Sequence, residues 1–139
     1  MSWVGIVVLV VAVLAATAFG VLRRHRHGRV RAGDDSTRLT AAQLRTDALG
    51  ERATLVQFSS AFCRPCVAAR QVLSDVAGRV PGVRHVEVDA ESHLQLIREL
   101  GIASTPTTLL LDGAGVERRR ATGVPRKPEL LAALADVVG

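Results

Sequence analysis

The sequence predicts an α/β domain with a mixed sheet, preceded by a single N-terminal helix that is long enough to span a membrane. The first observation is an uninterrupted apolar run, Trp3–Leu22. The second is an alternation of helix-type and strand-type patterns after residue 36, and the third is a pair of consecutive strand patterns separated by a turn at Asp112–Gly115. A chain of 139 residues holds one such domain and an appendage, but not two ordinary domains.

The apolar run at the N-terminus contains no charged residue. Its 20 residues, at about 1.5 Å each, span about 30 Å, which is the thickness of the hydrocarbon core of a bilayer. Trp3 lies at one end, where an amphipathic ring suits the headgroup level. A cleaved signal peptide is the main alternative, since Ala16–Ala18 fits a small-residue cleavage pattern. No Lys or Arg precedes the run, however, and it continues to Leu22, so we predict a membrane helix over residues 3–22.

A cluster of basic residues follows the apolar run, and we name residues 23–31 the basic collar. Its charges come from Arg23, Arg24, Arg26, Arg29 and Arg31. Positive flanks stay in the cytoplasm, so the collar predicts a domain on the cytoplasmic face, and its attraction to an anionic leaflet amounts to about 5 kcal/mol. We interpret His25 and His27 as part of this solvated collar, not as metal ligands. Beyond the collar, 13 basic residues balance 13 acidic ones, which argues against a nucleic-acid-binding surface.

The remaining elements follow in chain order. A polar break at Gly33–Ser36 predicts a linker, so residues 1–35 form the anchor with its linker and residues 36–139 form the domain. Thr40 and Gln43 fit a capping box for a short helix that Gly50 ends. Pro128 suits the first turn of the last helix. Apolar periodicity and turn signals place the other elements as follows: strands at 54–59, 83–89, 107–111 and 116–122, and helices at 63–80, 92–100 and 128–137.

The only two cysteines form a Cys63-Arg64-Pro65-Cys66 motif between a predicted strand and the start of a predicted helix. A helix N-terminus stabilises a thiolate, and two intervening residues allow the second sulfur to reach the first. We therefore predict that Cys63 is an exposed nucleophile and that Cys66 is a buried resolving thiol. Half of a zinc site is the alternative, but His85 and His93 are the only further candidate ligands in the domain and lack a ligand spacing. No metal site is predicted.

From about Ser36 to the C-terminus the sequence resembles the thioredoxin family. The similarity lies in the strand and cysteine turn at Val56–Cys66, the strand Val86–Asp89, the segment Gly101–Thr107 and the glycine at position 123. The resemblance implies a thioredoxin-like mixed sheet flanked by helices, and a cis peptide bond between Thr105 and Pro106. It also implies a substrate groove formed by Phe62, Thr105, Pro106 and Gly123, in which the Thr105 backbone pairs with a bound peptide.

The sequence departs from the family pattern at four positions, and three of them, Arg64, Gln57 and His85, bear on the pKa values of the thiols. Phe62 stands where Trp is usual, and Arg64 stands where Gly is usual, so that Arg64 either stabilises the thiolate or is simply solvated. Gln57 replaces a buried Asp, and an amide cannot accept the proton of Cys66 at neutral pH. His85 stands where a Lys often accompanies that Asp. Either His85 or water could take the proton, and the alternative is a partly buried, satisfied histidine.

These observations predict a membrane-tethered enzyme, a thiol–disulfide oxidoreductase that reduces protein disulfides through Cys63 and Cys66. It requires no metal or organic cofactor, only an external dithiol electron donor, and we expect a monomer held to membrane lipid by residues 3–22 and the basic collar. Two alternatives stay open. One is an exported exchange protein that serves secreted proteins or cytochrome assembly, and the other is a non-catalytic thioredoxin-like adaptor.

Overall fold

The computed structural model describes residues 2–139 and contains five strands and four α-helices over that range. A single turn of 3₁₀ helix, Ala90–Ser92, precedes the third α-helix. In chain order the elements are α1 (Trp3–Arg26), β1 (Val30–Ala32), β2 (Ala53–Ser59), α2 (Arg64–Arg79), β3 (Val83–Asp89), α3 (Leu94–Glu99), β4 (Thr107–Asp112), β5 (Glu117–Thr122) and α4 (Lys127–Val138).

The strands form one mixed sheet in the order β1-β5-β4-β2-β3. Strand β2 pairs in parallel with β3 and antiparallel with β4, and its residues are all buried. Burial on both faces suits the apolar Ala53, Leu55, Val56 and Phe58, whereas Thr54, Gln57 and Ser59 are buried polar residues of the same strand. The register pairs Phe58 with Thr107, so the end of β2 lies beside the start of β4. The segments that follow β2 and precede β4 therefore meet at one edge of the sheet.

Two apolar layers cover the sheet, because successive side chains of a strand point to opposite faces. Val56 and Phe58 face the layer that contains α3 and the segment before β2, whereas Leu55 faces the layer that contains α2 and α4. The first layer comprises Leu39, Leu44, Val56, Phe58, Val86, Val88, Leu96, Leu100, Leu109 and Leu111. The second comprises Ala53, Leu55, Leu73, Val76, Leu110, Leu130, Ala133 and Leu134.

The predicted helix between Thr40 and Gly50 is wrong. The capping box itself forms, since the Thr40 amide donates to Gln43 Oε1 at 2.9 Å and the Gln43 amide donates to Thr40 Oγ1 at 3.3 Å. The chain then makes only turns, because Arg45 adopts a left-handed backbone with φ 51° and ends the helical path after one turn. The segment instead packs as a loop that buries Leu39 and Leu44.

The sequence did not predict β1. Residues 30–32 follow the basic collar without a strand pattern, but they pair antiparallel with β5, with Arg31 opposite Arg120. The segment assigned to the anchor and its linker therefore already includes a strand of the sheet. The preceding helix α1 is also longer than predicted, because it continues beyond Leu22 to Arg26.

The predicted inward face of the third helix is displaced. Apolar spacing predicts that Leu94, Ile97 and Leu100 face the core, but the 3₁₀ turn at Ala90–Ser92 delays the helix, so Leu96 is buried while Leu94 is 55% exposed. The same spacing predicts that Val67 on α2 and Leu131 on α4 face inward, but both lie at the surface.

A buried ion pair on β5 lies beneath the first layer. Glu117 is fully buried, and both of its oxygens accept hydrogen bonds from Arg120, at 2.7 and 3.0 Å. Arg120 also donates to the Leu100 carbonyl at 2.7 Å and so ties β5 to the end of α3. A buried carboxylate depends on such a partner, because an unpaired buried charge carries a large desolvation cost.

Replacing Arg120 is therefore expected to destabilise the fold strongly. Arg120→Met leaves the Glu117 carboxylate buried without its partner, which lowers the free energy of unfolding by about 3–5 kcal/mol. Chemical denaturation of the full chain in detergent measures this change. Arg119→Met on the same strand is the control, because Arg119 pairs with the exposed Asp136 at 3.7 Å, and such a pair contributes about 1 kcal/mol or less. Equal losses in the two variants would contradict the prediction.

Candidate active site

The two cysteines lie at the edge of the sheet where β2 ends and α2 begins. Cys63 is the N-cap of α2, and its Sγ accepts a hydrogen bond from the Cys66 amide at 3.2 Å. The two residues are joined by a disulfide with a Cα–Cα distance of 5.2 Å. Cys63 is partly exposed and Cys66 is buried. In the reduced state the helix N-terminus and the Cys66 amide both favour a thiolate on Cys63.

One exposed apolar side chain precedes Cys63, and another follows the cysteine motif. Phe62 has a left-handed backbone with φ 58°, and its side chain is fully exposed. Val67, one residue beyond the motif, is half-exposed. Together with Ser60 and Arg70, these residues and the cysteine motif line a shallow groove of about 550 Å³. A peptide that enters this groove would meet both apolar and basic side chains beside Cys63.

Arg64, which the sequence places beside the nucleophile, is exposed at the first position of α2. Within residues 2–139 it forms no ion pair with a carboxylate. Arg70, six residues further along the same helix, instead donates hydrogen bonds to both oxygens of Glu87, at 2.5 and 2.7 Å. That pairing raises the pKa of Arg70 and lowers the pKa of Glu87. Arg64 is therefore the cation left free beside Cys63.

The segment before β4 faces the cysteine pair. The Thr105–Pro106 peptide bond is cis, and Thr105 Oγ1 lies 3.9 Å from Cys63 Sγ. The Thr105 hydroxyl also forms a hydrogen bond of 2.8 Å with Ser60 Oγ. Sequence reasoning missed Ser60, because no motif marks a serine three residues before the nucleophile. The Pro106 carbonyl accepts a hydrogen bond from the Gly123 amide at 2.8 Å, so Gly123 lies beside the Thr105–Pro106 segment. Of the four predicted groove residues, Phe62 lines the 550 Å³ groove on the α2 side of Cys63, and the other three lie outside the lining of that groove.

Gln57 lies beneath the cysteine motif and is fully buried. Its Nε2 donates to the Cys66 carbonyl at 2.8 Å and to Ser59 Oγ at 3.0 Å, which uses both amide hydrogens. Its Oε1 is therefore the atom that faces His85 Nε2, at 3.0 Å. Gln57 thus holds the backbone of the first turn of α2.

Among the described residues, Gln57 connects His85 to the cysteine motif through hydrogen bonds. Because Gln57 Oε1 is an acceptor, His85 Nε2 must donate, and Nδ1 is left to accept from the Ser74 hydroxyl at 3.2 Å. Burial lowers the pKa of His85 below its ordinary value, although the Glu87 carboxylate partly opposes that effect. His85 forms no hydrogen bond with either cysteine among the described residues. His85 thus lies behind Gln57, and its partial burial favours the neutral ring.

Across residues 2–139, no group of three or more His, Cys, Asp or Glu residues is placed to hold a metal ion. His93, which the sequence offered as a possible zinc ligand, bonds through Nδ1 to the Asp89 carbonyl.

Comparison with known proteins identifies the domain. The family model described as a thioredoxin-like domain matches residues 40–138. The chain belongs to the thioredoxin-like family. This membership confirms the resemblance inferred from the cysteine motif and the Thr-Pro segment.

Several thioredoxins resemble the chain in sequence. The thioredoxin of Mycolicibacterium smegmatis is 34% identical over 98 residues, which cover 67% of this chain and 86% of that protein. The thioredoxin of Mycobacterium tuberculosis is 32% identical over 104 residues, covering 73% and 88%.

Solved structures of thioredoxins share the fold. A mutant thioredoxin from Halobacterium salinarum superposes with a TM-score of 0.58 at 18% identity, over 64% of this chain and 77% of that one. Thioredoxin f from spinach chloroplasts superposes with a TM-score of 0.56 at 24% identity, over 65% and 80%. The predicted α/β fold with a mixed sheet and flanking helices is confirmed.

Family membership and the disulfide-forming cysteine pair make the chain a thiol–disulfide oxidoreductase. Membership in the thioredoxin-like family implies protein disulfides as substrates and a reductant as partner.

The lowered pKa of His85 predicts how stability changes with pH. In the unfolded chain His85 takes up a proton as the pH falls through about 6.5, but the folded state resists this uptake because the ring is partly buried. The free energy of unfolding is therefore expected to fall as the pH decreases from about 7 to about 5, since the unfolded state binds more protons.

Denaturation of the full chain in detergent at several pH values measures this effect. His85→Gln removes the titratable ring but keeps an amide that can donate to Gln57, so its stability should fall less over the same pH interval. The two chains should run parallel above pH 7. An equally steep fall in the variant below pH 6.5 would assign the pH dependence to other groups.

Proposed function

We propose that this protein is a membrane-tethered oxidoreductase that reduces protein disulfides at Cys63. The observation that carries the proposal is the pairing of a partly exposed Cys63 at the start of α2 with a buried Cys66, beside the Thr105–Pro106 segment. An exposed sulfur at a helix N-terminus is suited to attack, and a buried sulfur three residues on is suited to resolution.

The reaction proceeds by two exchanges. The Cys63 thiolate attacks one sulfur of a substrate disulfide, which forms a mixed disulfide and releases the other substrate sulfur as a thiolate that takes up a proton. Cys66 then loses its proton and attacks Cys63, which releases the second substrate sulfur and closes the Cys63–Cys66 disulfide. The substrate gains two electrons, and an external dithiol donor returns two electrons to the enzyme.

The groove residues position the substrate in this proposal. An extended peptide pairs with the Thr105 backbone, while Phe62, Pro106 and Gly123 form the walls of the groove. Arg64 supports the thiolate of Cys63 as a neighbouring cation, which its freedom from carboxylate partners favours.

The proton of Cys66 passes to water. Gln57 holds both of its amide hydrogens in bonds to the Cys66 carbonyl and to Ser59, and an amide oxygen is a poor base. His85 acts on the site as a positioning residue, because it orients the Gln57 side chain through Oε1.

The anchor is helix α1. It is long and apolar enough to cross a membrane, and none of its residues is buried against the domain. A signal sequence near the N-terminus would share these properties, and the small residues Ala16–Ala18 suit cleavage. We favour a retained single-pass anchor because the helix continues beyond Leu22 through Arg23–Arg26, the first residues of the basic collar. The protein then acts as a monomer, with the collar against anionic lipid and the domain in the cytoplasm.

The anchor meets the domain at Gly28. The boundary inferred from the sequence lay at residue 36, but β1 joins the sheet and is part of the domain in this proposal. Residues 2–27 then form the anchor, and residues 28–139 form the catalytic domain.

Trapping experiments test the roles of the two sulfurs. Cys66→Ser cannot resolve the mixed disulfide, so it should accumulate covalent complexes with disulfide substrates such as insulin. Cys63→Ser lacks the exposed nucleophile and should trap little. Either change should abolish the acceleration that the protein gives to insulin reduction by an added dithiol. Non-reducing electrophoresis and mass spectrometry measure the adducts. Equal trapping by both variants would contradict the assignment. If the unmodified chain failed to accelerate insulin reduction, the result would favour the non-catalytic thioredoxin-like adaptor.

Fusion reporters test the side of the membrane. Arg residues on the C-terminal flank of a span resist translocation, so a reporter that is active only after export should be silent when fused after Gly139. A reporter that requires the cytoplasm should be active at the same site. Neutralising the five Arg residues of the collar and adding Lys after Met1 should weaken this preference. An active export reporter on the unmodified chain would instead support the exported exchange protein.

A further inference from the structure

The end of α1 is fixed to the domain without a flexible spacer. The helix ends at Arg26, and two residues later the Gly28 amide donates to the Thr122 carbonyl at 2.7 Å while the Gly28 carbonyl accepts from the Arg126 amide at 3.2 Å. Gly28 has φ +78°, and a Cβ there would lie 2.3 Å from the Val124 carbonyl oxygen. A side chain at this position would therefore break the close contact between the helix end and the loop after β5.

This attachment lies beside the substrate groove. Gly123, whose amide bonds to the Pro106 carbonyl, is also the residue against which His27 packs, because a Cβ on Gly123 would lie 3.1 Å from His27 Nδ1. Thr105, the neighbour of Pro106, lies 3.9 Å from the Cys63 sulfur. The path from the end of the helix to the reactive sulfur therefore runs through a few directly contacting residues.

The composition of α1 indicates the level of this junction in a bilayer. Leu22 is the last apolar residue of the run, and Arg26 follows four positions later, a rise of about 6 Å along a helix. The headgroup zone on one side of a bilayer is about 5–7 Å deep.

A cavity of about 370 Å³ between the helix end and the sheet edge shows the same transition. Its walls change from the apolar Phe19 and Leu22 to the basic Arg23, Arg26 and Arg31. Gly123, next to Thr122 in the lining of this cavity, thus lies beside the headgroup zone.

We infer that the preferred substrate is a disulfide of an integral membrane protein that lies within a few residues of a membrane span. This inference rests on the proposed function. The fixed attachment holds Cys63 at one height above the bilayer, and only disulfides at that height are presented to it at high effective concentration. The fully exposed Phe62 beside Cys63 suits the apolar and amphipathic residues that flank membrane spans.

The exchange itself is unchanged. Cys63 forms the mixed disulfide with the juxtamembrane sulfur, Cys66 closes the enzyme disulfide, and the substrate leaves as two thiols.

Reduction of model substrates in nanodiscs tests the inference. The full chain is reconstituted with a single-span peptide that carries a disulfide loop either directly after its span or after a flexible linker of about 30 residues. We expect the near loop to be reduced at least about tenfold faster than the distant loop. Soluble insulin, added to the same nanodiscs, reports the intrinsic activity of the cysteine pair.

Two insertions of equal length separate attachment from folding. A spacer of about ten Gly and Ser residues, with an end-to-end distance of about 17 Å, is placed between Arg26 and His27. The control carries the same spacer between Asp47 and Ala48, in an exposed loop that precedes β2 and so lies at the opposite end of that strand from Cys63. The first insertion should abolish the preference for the near loop without slowing insulin reduction. The control should retain both.

Each outcome is decisive. Equal rates for the two loops with the unmodified chain, or a preference that survives the spacer at Arg26, would overturn the inference while insulin reduction upholds the proposed function. Failure to reduce insulin and both loops would overturn the proposed function and the inference with it.

Discussion

The antiparallel pairing of β2 with β4 is the constraint on which the site depends. The cysteine turn follows the end of β2 and the Thr105–Pro106 segment precedes the start of β4, so the pairing of Phe58 with Thr107 brings two segments that are about forty residues apart to the same edge. The neighbouring pairing of β4 with β5 then adds Gly123 to that edge. A shift of one residue in either register would turn the buried side chains of the strand to the opposite face, and the two apolar layers oppose such a shift. Packing of the sheet thus fixes the geometry of the sulfur pair.

Below that edge the site is built on a neutral amide. A carboxylate at position 57 would place a buried negative charge beside the Cys66 carbonyl and would act as a base. Gln57 instead supplies two hydrogens, one to that carbonyl and one to Ser59, and it takes its own orientation from His85. These hydrogen bonds, together with the Cys63–Cys66 disulfide, hold the first turn of α2. Proton transfer from Cys66 would require a base at position 57. Gln57 instead keeps the cysteine turn in position through its hydrogen bond to the Cys66 carbonyl.

Local chemistry explains which features the sequence could predict. Strands β2 to β5, the long helices and the position of the cysteine pair at the start of α2 followed from apolar periodicity and from one motif at a helix start. The helix after Thr40 could not be excluded, because its capping box is real and only the left-handed backbone at Arg45 ends it. The residues of β1 show no strand pattern in the sequence. They form a strand because the backbone of β5 offers hydrogen-bond partners along its free side. Ser60 and the direction of the His85 hydrogen bond depend on partners distant in sequence, which no single-chain pattern reveals.

The basic collar has two structural roles that its composition does not distinguish. Arg23 to Arg26 continue the helix that begins in the apolar run, whereas Arg29 and Arg31 flank and occupy an edge strand. Charged residues on a short edge strand discourage pairing with other chains, so Arg29 and Arg31 also protect the open side of the sheet. The bonds from Gly28 to Thr122 and from Gly123 to Pro106 are made by backbone atoms. The arginine side chains of the collar can therefore vary while the attachment of the helix end to the domain is preserved.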